Sequence, residues 1–557
     1  MNTDSPINRT DPSHIVVEQI LGRSEYFNHI KSSIISLREK MKDVEDEKSL
    51  LEPCKELHGK MIRMSKLQEY TECLHETFRT VPLKSELLLQ AEDYFYEGKF
   101  QEMDEILDVS KIRAEIESLE DDSLPKDEDR EKKARVSLKY RSYELVVKAL
   151  YHYTFADNPQ WREDVYNFLD EAEETSSNVH TMYEFGSCLS ITDEQEWALE
   201  LLNDAYVASQ NMEGEAGRLY EAKCLWRMGI ILSRNDDYPK AIEYAGKILK
   251  IYSELSENNH AEYCSRMSEA LVIMGEYHIY IEKNLPAATV VFEEAVKIRR
   301  ELAVDGGFER AMRLADALDK LATVYVGMRE YGKAFSIYEE ALKIREDNMD
   351  YDLYSALEMN AGTLHSIAIA CYFMHEYEKA IDRVNEELEI RRRVQKVDFF
   401  GQLPGLAITG NLLGDLYLRL NRSDDAIRER EKVVDMYRTL NEYFPDIYVR
   451  NLGEALINCT NIYLHTKSYD KYFRSMMEAL KIFRKLAATN REGYISIVGR
   501  MTANVCHYYE RIYPDRKKAI EYAREAYKIL SSIERNEEEE SVFVEVKRII
   551  KNSKKRL

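Results

Sequence analysis

An alanine returns along this chain at a nearly constant interval. Ala241, Ala288, Ala334, Ala380, Ala426 and Ala519 fall on a ladder with 46 or 47 residues per rung, Tyr472 fills the one remaining rung, and Ala198 extends it backwards. A weak phrase repeats around each rung: LPAATVVFEEAVKIRREL, YGKAFSIYEEALKIREDN, YEKAIDRVNEELEIRRRV and YDKYFRSMMEALKIFRKL. A fixed period of this size describes stacked copies of one supersecondary unit, each burying its apolar face on the next. It overrides the three or four domains that 557 residues would otherwise suggest. Only 11 prolines and 21 glycines occur, and runs of alternating β-branched residues are scarce, so the units are helical and the expected fold class is all-α.

Composition narrows the function. The net charge of −23 argues against a nucleic-acid backbone as direct partner, and 44% hydrophobic content is ample for a core. The eight cysteines form no CxxC pair, so neither a zinc site nor a redox motif is indicated. Cys371, Cys459 and Cys506 fall at inward helix positions, as small apolar residues in a reducing compartment would. The opening MNTDSPINRTDPSH lacks a signal-peptide pattern, and no run of 18 apolar residues occurs. A cytoplasmic protein without membrane contact is expected.

Residues 1–13 are polar and expected to be disordered. Residues 14–84 predict a helical hairpin, a coiled-coil-like stalk: Ile30, Ile34, Leu37, Met41, Val44 and Leu51 form a 4-3 seam. Glu52-Pro53 should end the first helix, and Leu57, Met61, Met64, Leu74 and Phe78 mark the second. Residues 85–117 predict a degenerate first repeat turning at Gly98-Lys99. Residues 118–136 predict a charged loop. Residues 137–533 predict about nine helix pairs, and 534–557 a capping helix with a basic tail.

Within the array a small residue precedes each rung by 12 or 13 positions: Gly186, Gly229, Gly275, Ala322, Ala368, Gly414, Thr460 and Cys506. Two helices that cross closely need such a residue at the contact. A glycine inside a helix costs about 1 kcal/mol relative to alanine, so its presence at Gly186, Gly229, Gly275 and Gly414 predicts a packing need.

Leu321, Ala322, Tyr325, Ala334, Tyr338 and Ala341 resemble the tetratricopeptide repeat pattern, as do Leu413, Gly414, Tyr417 and Ala426. ALKIRED and AVKIRREL look like phrases of kinesin-light-chain-type repeats, which also have long helices. The layout is similar to bacterial tetratricopeptide proteins with an N-terminal helical stalk. The resemblance implies a right-handed superhelical solenoid whose groove is lined by the first helix of each pair. It places in that groove Lys223, Trp226, Glu269, Glu276, Asp316, Asp319, His365, Tyr372, Asn411, Asp415, Asn461, Arg500 and His507. Asp316, Asp319 and Glu276 would favour Lys or Arg on a ligand, and the asparagines an extended backbone. Asp319 and Thr323 stand where a chaperone-binding carboxylate clamp needs other residues.

No phosphate loop, dinucleotide loop, zinc-protease or nucleophile-elbow motif is present. Catalysis, a cofactor and a bound metal are therefore not expected. The expected role is a protein-interaction scaffold that captures a peptide segment or folded partner, as a sensor or regulatory subunit of a multiprotein system, in style a bacterial defence or stress pathway. The hairpin would serve a second partner or self-association. The alternative is a peptide-responsive receptor whose superhelix changes curvature when ligand binds.

Overall fold

A computed structural model describes residues 14–42, 44, 47–81, 84–120, 128–155, 160–190, 194–235, 237–257, 260–304, 307–348 and 353–554. The expected disorder of 1–13 lies outside these. The described residues are helical, with no strand among them. They divide into two units, one of residues 1–40 and 55–351, the other of 41–54 and 352–557.

In chain order the first helices are α1 (His14–Arg23) and α2 (Glu25–Met41), parted at Ser24, whose hydroxyl accepts from the Phe27 amide. Next comes α3 (Glu47–Thr80), with Arg63 over the ring of Tyr26 on α2. The seam residues Ile30, Ile34, Leu37 and Met41 are buried. The break between α2 and α3 precedes Glu47, whereas Pro53 lies inside α3. The predicted break at Glu52-Pro53 is thus displaced. Pro53 sits in the second turn and forfeits one backbone bond, while Leu50, Cys54 and Leu57 around it are buried on one face.

The short pair α4 (Glu86–Tyr96) and α5 (Phe100–Ile106) turns at Gly98. Gly98 has φ +74°, and a side chain there would meet the Ser24 backbone at 2.7 Å. Then follow α6 (Val109–Glu120) and α7 (Glu128–Phe155). The stretch expected as a charged loop over 118–136 is therefore helical at both ends, and 121–127 lie outside the described residues.

With α7 the pairs begin. The first unit holds α7 with α8 (Trp161–Thr175), α9 (Val179–Leu189) with α10 (Gln195–Ser209), and α11 (Glu215–Arg234) with α12 (Tyr238–Leu255). It continues with α13 (His260–Tyr280) and α14 (Leu285–Ala303), then α15 (Phe308–Gly327) and α16 (Tyr331–Glu346). The second unit holds α17 (Leu353–Phe373) with α18 (Tyr377–Gln395), α19 (Phe399–Arg419) with α20 (Ser423–Tyr443), α21 (Pro445–His465) with α22 (Tyr469–Thr489), and α23 (Arg491–His507) with α24 (Arg516–Leu530). Inside each unit every helix of these pairs packs on the next. Finally α25 (Glu537–Lys554) covers α23 and α24, with Val546 and Ile549 buried against Ala503, Cys506, Ala523 and Ala526.

The turn inside the regular pairs is itself periodic. Lys283, Arg329, His375, Asn421 and Lys467, each five residues before a rung, all have positive φ. From Arg329 onward the following amide reaches back five residues, as Glu330 does to the Tyr325 carbonyl and Ser468 to that of Tyr463. This is the left-handed helix stop that glycine usually fills. Here four of the five residues are Lys, Arg or His, types that suit the negative end of a helix dipole. The last repeat is one residue longer, and a π-turn at Tyr508–Ile512 absorbs the extra residue.

Packing at the rungs refines the expectation of small residue against alanine. A side chain on Gly186 would strike Leu202, one on Gly275 would strike Phe292 at 2.5 Å, and one on Gly414 would strike the Arg430 guanidinium at 2.8 Å. The glycine therefore makes room for the residue four positions after the alanine. Gly229 departs from this pattern. The residue four after Ala241 is Ala245, and a side chain on Gly229 would meet only the Ala241 carbonyl oxygen at 3.9 Å. The packing need predicted for Gly229 is absent. In its place an apolar cavity of about 360 Å³ opens among α11, α12 and α13, lined by Leu225, Trp226, Ile242, Ala245 and Met274.

Candidate functional site

The residues expected to face a partner all lie on first helices of the pairs, and nearly all are tied to other side chains. Charges crossing between neighbouring helices provide the ties. In the first unit Glu269 of α13 pairs with Arg313 of α15, and Glu276 with Lys320 at 2.5 Å. Asp316 receives Arg299 of α14 at 3.5 Å, and Asp319 receives Arg345 of α16 at 2.6 Å. Arg299 and Arg345 stand eleven positions after successive rungs and are buried, Arg345 at 1% exposure. Each reaches from a second helix to a carboxylate on a first helix. The carboxylates expected to attract a basic ligand thus already carry intramolecular basic partners.

In the second unit Arg391 continues that series, but it meets a carboxylate on its own helix. Glu387, fully buried on α18, accepts from Arg391 Nε at 2.7 Å and from Thr409 Oγ1 of α19 at 2.6 Å. It also lies 3.0 Å from His365 Nδ1 of α17. Burial opposes the Glu387 charge, but the bonds from His365, Thr409 and Arg391 outweigh it and lower its pKa. Arg430 of α20 passes beneath Gly414 to reach Asn411 and Asp415 of α19, the latter at 2.5 Å. The Tyr372 hydroxyl accepts from Arg419 at 2.8 Å. Asn461 is exposed. The positive charge of Arg500 acts on Glu539 of α25.

His507 lies 3.4 Å from Glu545 of α25. With Glu510 on the π-turn these form the one trio, among the described residues, whose geometry suits a metal ion. Arg511 and Arg548 pair with the same carboxylates, which opposes a cation there.

Lys223 and Trp226, on α11, differ from the rest. Trp226 lines the apolar cavity. The Lys223 side chain is only 10% exposed, because α3 lies over it. Glu76 of α3 pairs with Lys223 at 3.3 Å and accepts from Arg266 of α13 at 3.1 Å. The Thr80 and Tyr220 hydroxyls are 3.3 Å apart. The Lys223 ammonium also faces the rings of Tyr183 (4.5 Å) and Tyr220 (5.2 Å). Burial works against the Glu76 charge, yet Arg266 and Lys223 bring its pKa down to about 2. Lys223 and Arg227 also act on buried Glu184 beside this cluster, but there burial outweighs them and raises its pKa.

The pattern tyrosine also has a definite task. Tyr325 donates to Glu293 of the preceding second helix at 2.5 Å and Tyr463 to Glu431 at 2.7 Å, each ring carrying a lysine, Lys333 or Lys471, over its face. Among the described residues no helix is long and apolar enough to cross a membrane.

Glu76, Glu387, Arg345 and Arg430 escaped the sequence reading. The 46-residue recurrence of Arg299, Arg345 and Arg391 was a usable signal. Glu76 offered none, being far from Lys223 and Arg266 along the chain.

A family model described as tetratricopeptide repeat matches residues 314–348. Within each unit, the described helices on either side of that repeat form an all-α stack of pairs. No curated protein matches the sequence. Similar solved structures include BtubC from P. vanneervenii, with TM-score 0.36 and 21% identity over 45% of this chain and 91% of that one. Another is aspartyl phosphate phosphatase F from Bacillus subtilis, with TM-score 0.38 and 14% identity over 81% and 93%. A third is a signal transduction ATPase with a tetratricopeptide repeat sensor from Pyrococcus horikoshii, with TM-score 0.37 and 14% identity over 94% and 72%.

Proposed function

We propose that the chain is a non-catalytic protein-interaction scaffold that takes a protein segment along the first-helix faces of its pairs, as a sensor or regulatory subunit. One observation supports this most: polar side chains on first helices are held from behind by buried cations that cross from second helices. Asp316 and Asp415 remain 43% and 50% exposed although Arg299 and Arg430 fix them. Burying a guanidinium costs several kcal/mol before pairing, and well-packed apolar residues often serve stability as well or better. An arrangement that keeps such groups and orients exposed acceptors suits recognition, where pre-positioned side chains lose less entropy on binding.

The test is co-purification of tagged chain from its host with quantitative mass spectrometry. A Tyr372→Ala/Asn461→Lys variant should lose the partner, and a Lys297→Glu/Lys432→Glu variant, altered on second helices, should keep it. Equal recovery from both would contradict the proposal.

A further inference from the structure

The first-helix face between α9 and α13 lacks what the later pairs possess. Eleven positions after the rung, where α14 and α16 supply Arg299 and Arg345, α10 has Ser209 and α12 has Tyr252. The face is itself cationic, with Lys223 and Arg227 on α11 and Arg266 on α13. Of the array's carboxylates nearby, Glu221 pairs with Arg218 and Glu269 with Arg313, while Glu184 of α9 is buried beside Lys223 and Arg227, where burial disfavours its charge. The carboxylate that pairs with both Lys223 and Arg266 comes from outside the array, from Glu76 on α3.

We infer that this basic and aromatic face is a recognition site for an acidic helical segment, that α3 is its resident ligand, and that a partner helix docks by replacing α3. The Glu76 carboxylate accepts from Arg266, lies against the Lys223 ammonium, and stands where Tyr183 and Tyr220 wall that ammonium on its ring side. Thr80, one turn further along α3, meets the Tyr220 hydroxyl. Cys73, one turn earlier, borders a cavity of about 110 Å³ with Glu184, Cys188 and Arg227. That void leaves room for a side chain larger than cysteine on an incoming helix. The partner chemistry follows: a helix with Glu or Asp at the Glu76 position, a hydroxyl or small polar residue four later, and a larger apolar residue three earlier. This deepens the scaffold reading by naming the ligand of one part of the first-helix surface.

The probe is a fluorescent synthetic peptide of residues 64–81, added to the full chain. Wild-type chain, its site filled in cis, should bind it weakly. Glu76→Gln chain should bind it at least about tenfold more tightly, the step expected when a charge-assisted pair is lost from the competing cis helix. Adding Lys223→Met should remove that gain, and a peptide carrying Glu76→Gln should not show it. If Glu76→Gln fails to fold, wild-type chain decides: saturating peptide should raise amide exchange across 66–81 and leave α19 to α22 unchanged. No gain in Glu76→Gln chain, a gain that survives Lys223→Met, or unchanged exchange at 66–81 would overturn the inference. A partner that co-purifies normally beside these failures would leave the scaffold reading intact.

Discussion

The pairs α11/α12 and α13/α14 carry the same signature, a glycine followed after 12 or 13 residues by an alanine, and pack differently. Gly275 lies under Phe292, and Ala288 is fully buried. Gly229 lies under nothing close, Ala241 is half-buried, and a cavity of about 360 Å³ stands beside it. The decisive position is neither member of the signature but the residue four after the alanine, Phe292 in one pair and Ala245 in the other. The ladder sets where helices cross, and the next turn of the second helix sets whether the crossing is filled.

Four substitutions would break or sharpen this contrast. Phe292→Ala should give α13/α14 a void like that of its neighbour and cost about 3–5 kcal/mol, read from denaturant midpoints. Gly275→Ala should cost about 1–3 kcal/mol, since the clash with Phe292 exceeds the helical gain from alanine. Ala245→Leu should fill part of the α11/α12 cavity and stabilise by about 0.5–2 kcal/mol. Gly229→Ala meets no obstacle and should stabilise by at most about 1 kcal/mol. Opposite signs at the two glycines are the sharpest form of the contrast. Amide exchange over α11 to α14 localises each effect, which global unfolding of a repeat array would blur.

Helix pairs, rungs, the Gly98 turn and the capping face of Val546 and Ile549 follow from local periodicity, because each depends on neighbours within one repeat. The hairpin break falls before Glu47 and not at Glu52-Pro53, because burial of Leu50, Cys54 and Leu57 on one face favours a continuous helix through Pro53. At Gly229 the glycine–alanine signature is present, but Ala245, one turn beyond the rung, is too small to fill the space.

For the candidate site, the positions on first helices were legible and their electrostatics were not. Asp319 reads as a free acid in sequence, yet Arg345, 26 residues on, neutralises it from another helix. Lys223 reads as an open cation, yet Glu76 covers it from a helix outside the array. Pairings of this kind depend on which side chain crosses between layers, and the period of the ladder does not encode that.

The most direct test of the scaffold is a photo-crosslinking residue placed singly at Asp316, Tyr372 and Asn461 on first helices, and at Lys297 and Lys432 on second helices, in chain expressed in its host. The account predicts covalent adducts to a common protein partner from the first three positions and not from the last two. Adducts from Lys297 and Lys432 alone, or from none of the five, would contradict it.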